Sequence, residues 1–196
     1  MLFDMEIKKY VLGGRIMYCV EEVQSLYKKG EPLEFIFFSG HQKLANGNVG
    51  KSCLSQWYSS PFEMNNIKYS CAEQYMMAEK ARIFGDDKAL EEIFNAYHPN
   101  QMKLIGKRIK NFNEEVWMKE KITVVKIGNM AKFSQNPKLK KYLLSTKSKI
   151  LVKTNAYDQI WSIGLGKDDV CIKNPLKWIG QNLLGFILMD IRDVLS

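Results

Sequence analysis

The chain has 196 residues, 46% hydrophobic and 12% aromatic, and carries a formal charge of +8 at pH 7. That size and apolar content suit a single folded domain with its own core and exclude a disordered or fibrous chain. No apolar run approaches the ~20 residues of a membrane-spanning helix. The opening "MLFDMEIKKY" has no secretory-signal pattern, so a cytoplasmic location is expected. The basic excess points to an anionic partner: a phosphorylated metabolite, a nucleotide or nucleic acid.

In chain order, "IKKYVL-GG-RIMYCV" reads as two short strands about a Gly-Gly turn, followed by a short helix, "EEVQSLYKK", that Gly30 ends. "EFIFF" reads as a strand, and residues 41–69, with recurring Gly, Asn, Ser and Pro, as irregular. Helical patterns then dominate. "SCAEQYMMAEKARIFG" opens with Ser70 and Glu73 at capping-box spacing and stops at Gly85. "DKALEEIFNA", "PNQMKLIGKRI", "NEEVWMKEKITVVKIGNMAKFS" and "PKLKKYLLST" follow as further helices, then "KILVKT" as a short strand. "NLLGFILMDIRDVL" is a last helix with a broad apolar face. The expected fold class is α+β, mainly α-helical, with a small β-sheet.

Residues 47–52, "GNVGKS", imitate a phosphate-binding loop, but the spacing fails: that motif needs a glycine where Ala45 stands. Trp57, Tyr58 and Pro61 then follow where a long helix should run. Cys19, Cys53, Cys71 and Cys171 are scattered and read as free thiols. With only His41 and His98 present, a histidine-rich metal site is excluded. The lysine-rich runs "KLIGKRIKNF" and "NPKLKKYLLSTKSKILVK" read equally as an anion-binding surface or as a solvated basic face.

Several runs resemble one family. "FFSGH", "LSQWYSSPF", "YSCAEQYMMAEKARIFGD", "IGNMAKFSQNPKLKKYLLST", "AYDQIWSIGL" and "WIGQNLLGFILMDIRD" are similar, in order, to motifs of the NADAR family of YbiA-like proteins. The resemblance covers roughly residues 35–195. It implies a YbiA-like domain over 35–196, preceded by a hairpin-and-helix extension at 1–34. It also implies a metal-independent N-glycosidase that needs no cofactor. One branch of the family hydrolyses the ribose C1–N bond of phosphorylated ribosylaminopyrimidines from riboflavin synthesis, and another removes ADP-ribose from guanine in nucleic acid. A non-catalytic nucleotide- or ADP-ribose-binding module is the reading from a different class. A small phosphorylated N-riboside or an ADP-ribose-type ligand is the expected partner, with nucleic acid left open and no membrane. Ser39, Lys107, Lys153 and Ser162 depart from the family's usual Trp, Arg, Glu and Gly, which bears on substrate preference more than on reaction type.

Breaking a ribose C1–N bond builds positive charge on C1 and the ring oxygen, so the chemistry calls for a carboxylate and a group that moves a proton. The resemblance nominates Glu73 as the first carboxylate, beside its alternative as a capping acid for Ser70. Lys80 lies seven residues on and so on nearly the same helix face; beside its alternative as a solvated surface charge, the resemblance implies a site role, either binding phosphate or attacking C1 of an opened ribose as a Schiff-base amine. Asp158 is the second carboxylate, or a turn-former. The resemblance also implies that two of Trp57, Trp117 and Trp161 frame the base, beside their alternative as core residues. Gln56, within "LSQWYSSPF", joins them as a binding residue. Asn182 is expected to receive a polar ligand group or to cap a helix, and Arg82, Arg108 and Lys132 to contact phosphate.

Overall fold

The computed structural model describes residues 18–196. The two strands expected at the N-terminus lie outside the described residues, except that Tyr18 and Cys19 are coil leading into a helix. The described chain divides into two compact units.

Residues 56–136 form a helical unit. It opens with a hairpin, β2 (Phe62–Met64) and β3 (Ile67–Tyr69), antiparallel with Phe62 opposite Tyr69. This corrects the expectation of an irregular segment up to residue 69. The turn is Asn65-Asn66, both at positive φ (52° and 61°). Asparagine tolerates that geometry where most side chains do not, which lets a two-residue turn match the strand twist.

Four helices follow: α2 (Ala72–Ile83), α3 (Asp87–Asn95), α4 (Pro99–Lys107) and α5 (Glu114–Gln135). The last three begin where a side chain takes up a free backbone N–H. Asp86 accepts from Ala89 N, and Asn113 from Val116 N. His98 Nδ1 accepts from Asn100 N while Gln101 accepts from His98 N, with Pro99 in the first turn. At α2 the expected Ser70–Glu73 capping box is replaced. Cys71 is the N-cap and uses no side-chain hydrogen bond, and Ser70 instead engages Gln74, whose Oε1 accepts from both Ser70 N and Oγ. Gly85 (φ 65°) ends α2 as expected. Helix α2 packs against α3, α4 and α5 and is buried from Ala72 through Ala78.

Residues 18–55 and 137–196 form the other unit. It holds α1 (Val20–Lys28), β1 (Phe35–Phe38), a short 3-10 helix (Lys51–Leu54), α6 (Pro137–Ser145), β4 (Ile150–Lys153), a second 3-10 helix (Pro175–Lys177) and α7 (Leu183–Leu195). Strands β1 and β4 pair in parallel, Phe35 beside Ile150 through Phe38 beside Lys153. The small sheet is thus two separate two-stranded pieces. Helix α7 lies against β4 and is buried from Leu184 to Arg192, so it is enclosed all round rather than on one broad face. The phosphate-loop imitation ends in the four-residue 3-10 helix and not in a long α-helix. Tyr18 Oη donates to Asp193 Oδ2 at 2.6 Å, tying the entry to α1 onto α7, and this pushes the Tyr18 pKa up to about 12.

Candidate active site

The helical unit gathers Gln56, Trp57, Glu73, Lys80, Arg82, Arg108, Trp117 and Lys132; Asp158, Trp161 and Asn182 belong to the other unit.

Glu73 sits in the first turn of α2, where the helix dipole favours a carboxylate, and is only 4% exposed. Its backbone N–H donates to Gln56 O at 3.0 Å. Gln56 is itself buried. Its Oε1 accepts from Asn129 Nδ2 at 2.7 Å, and its Nε2 donates to Met76 Sδ at 3.3 Å. Asn129, from the middle of α5, also donates to Val125 O, while its fully buried Oδ1 has no hydrogen-bond partner among the described residues. One turn of α2 is therefore held from two directions, by the segment before β2 and by α5. Gly128 makes the approach of α5 close enough, since a Cβ there would stand 2.5 Å from the Tyr75 ring.

Lys80 lies two turns along α2, ~10 Å from Glu73 measured along the axis. Its Nζ donates to Gly106 O, in the last turn of α4, at 2.7 Å. Helix C-termini present unpaired carbonyls and the negative end of the dipole, so this is a ready acceptor for an amine. The two helices touch closely at this point: a Cβ on Gly106 would meet Met77 Sδ at 2.0 Å. The same amine stands 4.2 Å from the centre of the Phe112 ring and 5.5 Å from that of Trp117. Half-burial among these rings pushes the Lys80 pKa below the ordinary lysine value by desolvation.

The remaining candidates separate by their partners. Arg82 is bound by Glu79 and by Tyr69 Oη (3.0 Å), and Arg108, exposed, is bound by Glu92. Both arginines thus carry a carboxylate already. Lys132 is fully buried, with its Nζ 5.9 Å from the Tyr58 ring centre and 5.0 Å from that of Phe133. Trp57 is half-buried, with His98 edge-on at 5.9 Å and Lys103 over its ring at 6.0 Å. Lys103, Lys107, Arg108 and Lys110, in one of the two basic runs, are all exposed.

In the other unit, Asp158 follows β4 on a loop, as expected. Its Oδ1 accepts from Ile160 N at 3.2 Å and Trp161 N at 2.9 Å, so it shapes the turn that carries Trp161. Asn182 is fully buried in the left-handed region (φ 51°) and makes no side-chain cap. Its Oδ1 accepts from Lys153 N and its Nδ2 donates to Leu151 O, both at 2.9 Å. The amide of Asn182 thus extends the ladder of β4 and makes no side-chain cap, which corrects the capping alternative. Ser162, also buried, donates to Asn155 O at 3.1 Å. A cavity of about 780 Å³ opens in this unit between α1, β4 and α7, lined by Tyr18, Val23, Leu26, Ile150, Met189 and Arg192 among others. None of the sequence-nominated residues lines it.

Lys121 was not nominated from the sequence and is a notable addition. It is 2% exposed on α5, one turn beyond Trp117, with its Nζ 3.0 Å from Met118 Sδ. The run "KEK" hides it, because a lysine that ends a charged run reads as solvated. Only its place on the helical repeat, four residues before buried Val125 and eight before Asn129, gives a signal.

Comparison with known proteins identifies this arrangement. The solution structure of Escherichia coli YbiA superposes with a TM-score of 0.66 at 25% identity, covering 83% of this chain and 84% of that one. The fold is therefore the YbiA-like α+β fold. The NADAR domain model matches residues 37–196, and the chain belongs to that family. N-glycosidase R617 of Acanthamoeba polyphaga mimivirus is 40% identical over 165 residues, 82% of this chain and 95% of the relative. The chloroplastic riboflavin biosynthesis protein PYRR of Arabidopsis thaliana is 28% identical over 146 residues, 70% of this chain but 22% of PYRR. Among the described residues no helix is long and apolar enough to cross a membrane.

Proposed function

We propose that this NADAR protein is a hydrolase of N-glycosyl bonds that cleaves the ribose C1–N bond of a phosphorylated ribosylaminopyrimidine. The names of R617 and YbiA support the reaction class, and the riboflavin-pathway name of PYRR supports the substrate class. The observation that carries the mechanism is the seating of Lys80: an amine enclosed by Phe112 and Trp117, held by a neutral carbonyl, with its pKa lowered.

In this mechanism the ribosylamine opens to an imine at C1. The neutral Lys80 amine adds to C1, the aminopyrimidine nitrogen takes a proton and leaves with the C1–N bonding pair, and a Lys80–C1 imine remains. Water then adds to C1 and expels Lys80, giving the free sugar phosphate and the protonated base. Glu73, buried at the positive end of α2, supplies the carboxylate that stabilises charge at C1 and shuttles the proton. Trp117 is proposed to stack on the base, and Trp57 and Gln56 to complete the binding surface of this unit. We further propose that residues 1–34 are an extension to a domain at 35–196, supported by a family match that begins at residue 37.

The test is release of ribose phosphate from a ribosylaminopyrimidine phosphate, compared with release of ADP-ribose from ADP-ribosylated guanine DNA. Turnover of the first, lowered about a hundred- to ten-thousand-fold by Glu73→Gln, is expected. Preference for the modified DNA would replace the substrate assignment, and equal turnover by Glu73→Gln would remove that carboxylate from the mechanism.

A further inference from the structure

We infer that Lys121 is the residue that binds the substrate's phosphate, a subsite set beside Trp117 on α5. The inference rests on the N-glycosidase reading for the identity of the substrate, but not for the existence of an anion site.

Lysine is rarely so enclosed without a partner that repays its desolvation. Lys121 is 2% exposed, yet its ammonium has three N–H donors and, among the described residues, a single hydrogen-bond contact, the thioether of Met118 at 3.0 Å. Sulfur is a weak acceptor. No carboxylate among the described residues lies within ion-pair reach, and Glu114, two turns back on the same helix, exerts only a distant pull. Desolvation accordingly holds the Lys121 pKa below the usual lysine value. An amine left in this condition has capacity for an anion that the protein itself does not supply.

Its position fits the reaction. On a helix, side chains lean toward the N-terminus, and the contact with Met118 shows Lys121 reaching back over the turn that carries Trp117. The Trp117 ring faces the Lys80 amine. Lys121 thus lies one helical turn beyond Trp117 on α5, which packs against α2, the helix that carries Lys80. If Lys80 acts on C1, a sugar phosphate bound there carries its anionic group within a few ångströms of the same region, where an unpaired amine stands. The other basic candidates fit less well, because Arg82 and Arg108 are each neutralised by a glutamate.

The experiment compares wild type with Lys121→Met, which keeps most of the packing volume, and Lys121→Arg, which keeps the charge. For the phosphorylated substrate, Lys121→Met should raise KM by tenfold or more with kcat within about threefold, while KM for the dephosphorylated riboside stays unchanged. Lys121→Arg should recover most of the loss. Equal changes of KM for the two substrates, or no change for either, overturn the inference. A second readout is independent of turnover: inorganic phosphate should raise the melting temperature of wild type and not that of Lys121→Met. Equal protection of both proteins, or none of wild type, counts against the subsite. Lost phosphate protection in Lys121→Met alongside no glycosidase turnover in wild type would support the anion site and reject only the assigned substrate.

Discussion

The two units differ in how some of their buried polar groups are partnered. In the unit built on β1 and β4, several such groups are closed off mainly by backbone, although the buried Ser52 Oγ has no partner among the described residues. Asn182 is bonded at both ends of its amide by β4, Arg192 donates to Thr146 Oγ1 and Lys149 O, and Ser162 donates to Asn155 O. In the helical unit, Lys80 is held by one carbonyl and two aromatic rings, Lys121 by a thioether, and Asn129 Oδ1 by nothing among the described residues. Satisfied groups fix a fold, while under-satisfied ones in a well-packed interior mark where a ligand completes the structure. On the proposed mechanism, the contrast sets residues that build the fold beside residues that act.

The largest effect should come from the acting side. Lys80→Arg substitutes a permanently charged guanidinium, so no free amine remains to attack C1. The rate should fall by about a thousandfold or more, roughly 4 kcal/mol of barrier, and borohydride should no longer trap a sugar on the protein. In wild type, kcat/KM should rise as pH rises, because only the deprotonated amine reacts, and should level off at a pH below the ordinary lysine value of 10.5. A flat profile would remove Lys80 as the nucleophile.

Next in size is a structural lesion in the other unit. A Cβ on Gly185 would stand 2.1 Å from Leu151 O, a backbone atom that cannot move aside alone. Gly185→Ala should cost about 3 kcal/mol in urea denaturation. Asn182→Ala leaves Leu151 O and Lys153 N without their partner and should cost about 2 kcal/mol. If the division of labour holds, this variant lowers stability and leaves kcat of the folded protein near wild type. A selective loss of kcat would blur the line between builders and actors. The smallest effect belongs to the exposed Arg108–Glu92 pair, where Arg108→Gln should change stability by less than about 0.5 kcal/mol and leave KM unaltered.

Most helices were legible because their ends are written in local chemistry. Asn113 before α5, Pro99 within α4 and Gly85 after α2 are signals that act within a few residues. The β2–β3 hairpin escaped because its strands are three residues long and its Asn-Asn turn lacks the usual glycine. The parallel pairing of β1 with β4 links residues more than a hundred positions apart and leaves no local trace. At the candidate site, motif resemblance nominated Glu73 and Lys80, but it could not reveal that Ser70 would choose Gln74 over Glu73. Nor could it reveal that Asn182 would be used up by a strand, or that Lys121 would be buried. Those outcomes depend on which surfaces meet, and periodicity reports faces, not partners.

The seat of Lys80 against Gly106 O has one more consequence. A carbonyl, unlike a carboxylate, is not left as a stranded anion when the neighbouring amine gives up its proton. Discharging Lys80 therefore creates no new isolated charge, and its acidity is governed by the surrounding rings instead of by a counterion that dissolved electrolyte could screen. The midpoint of its titration should accordingly stay put as sodium chloride is added.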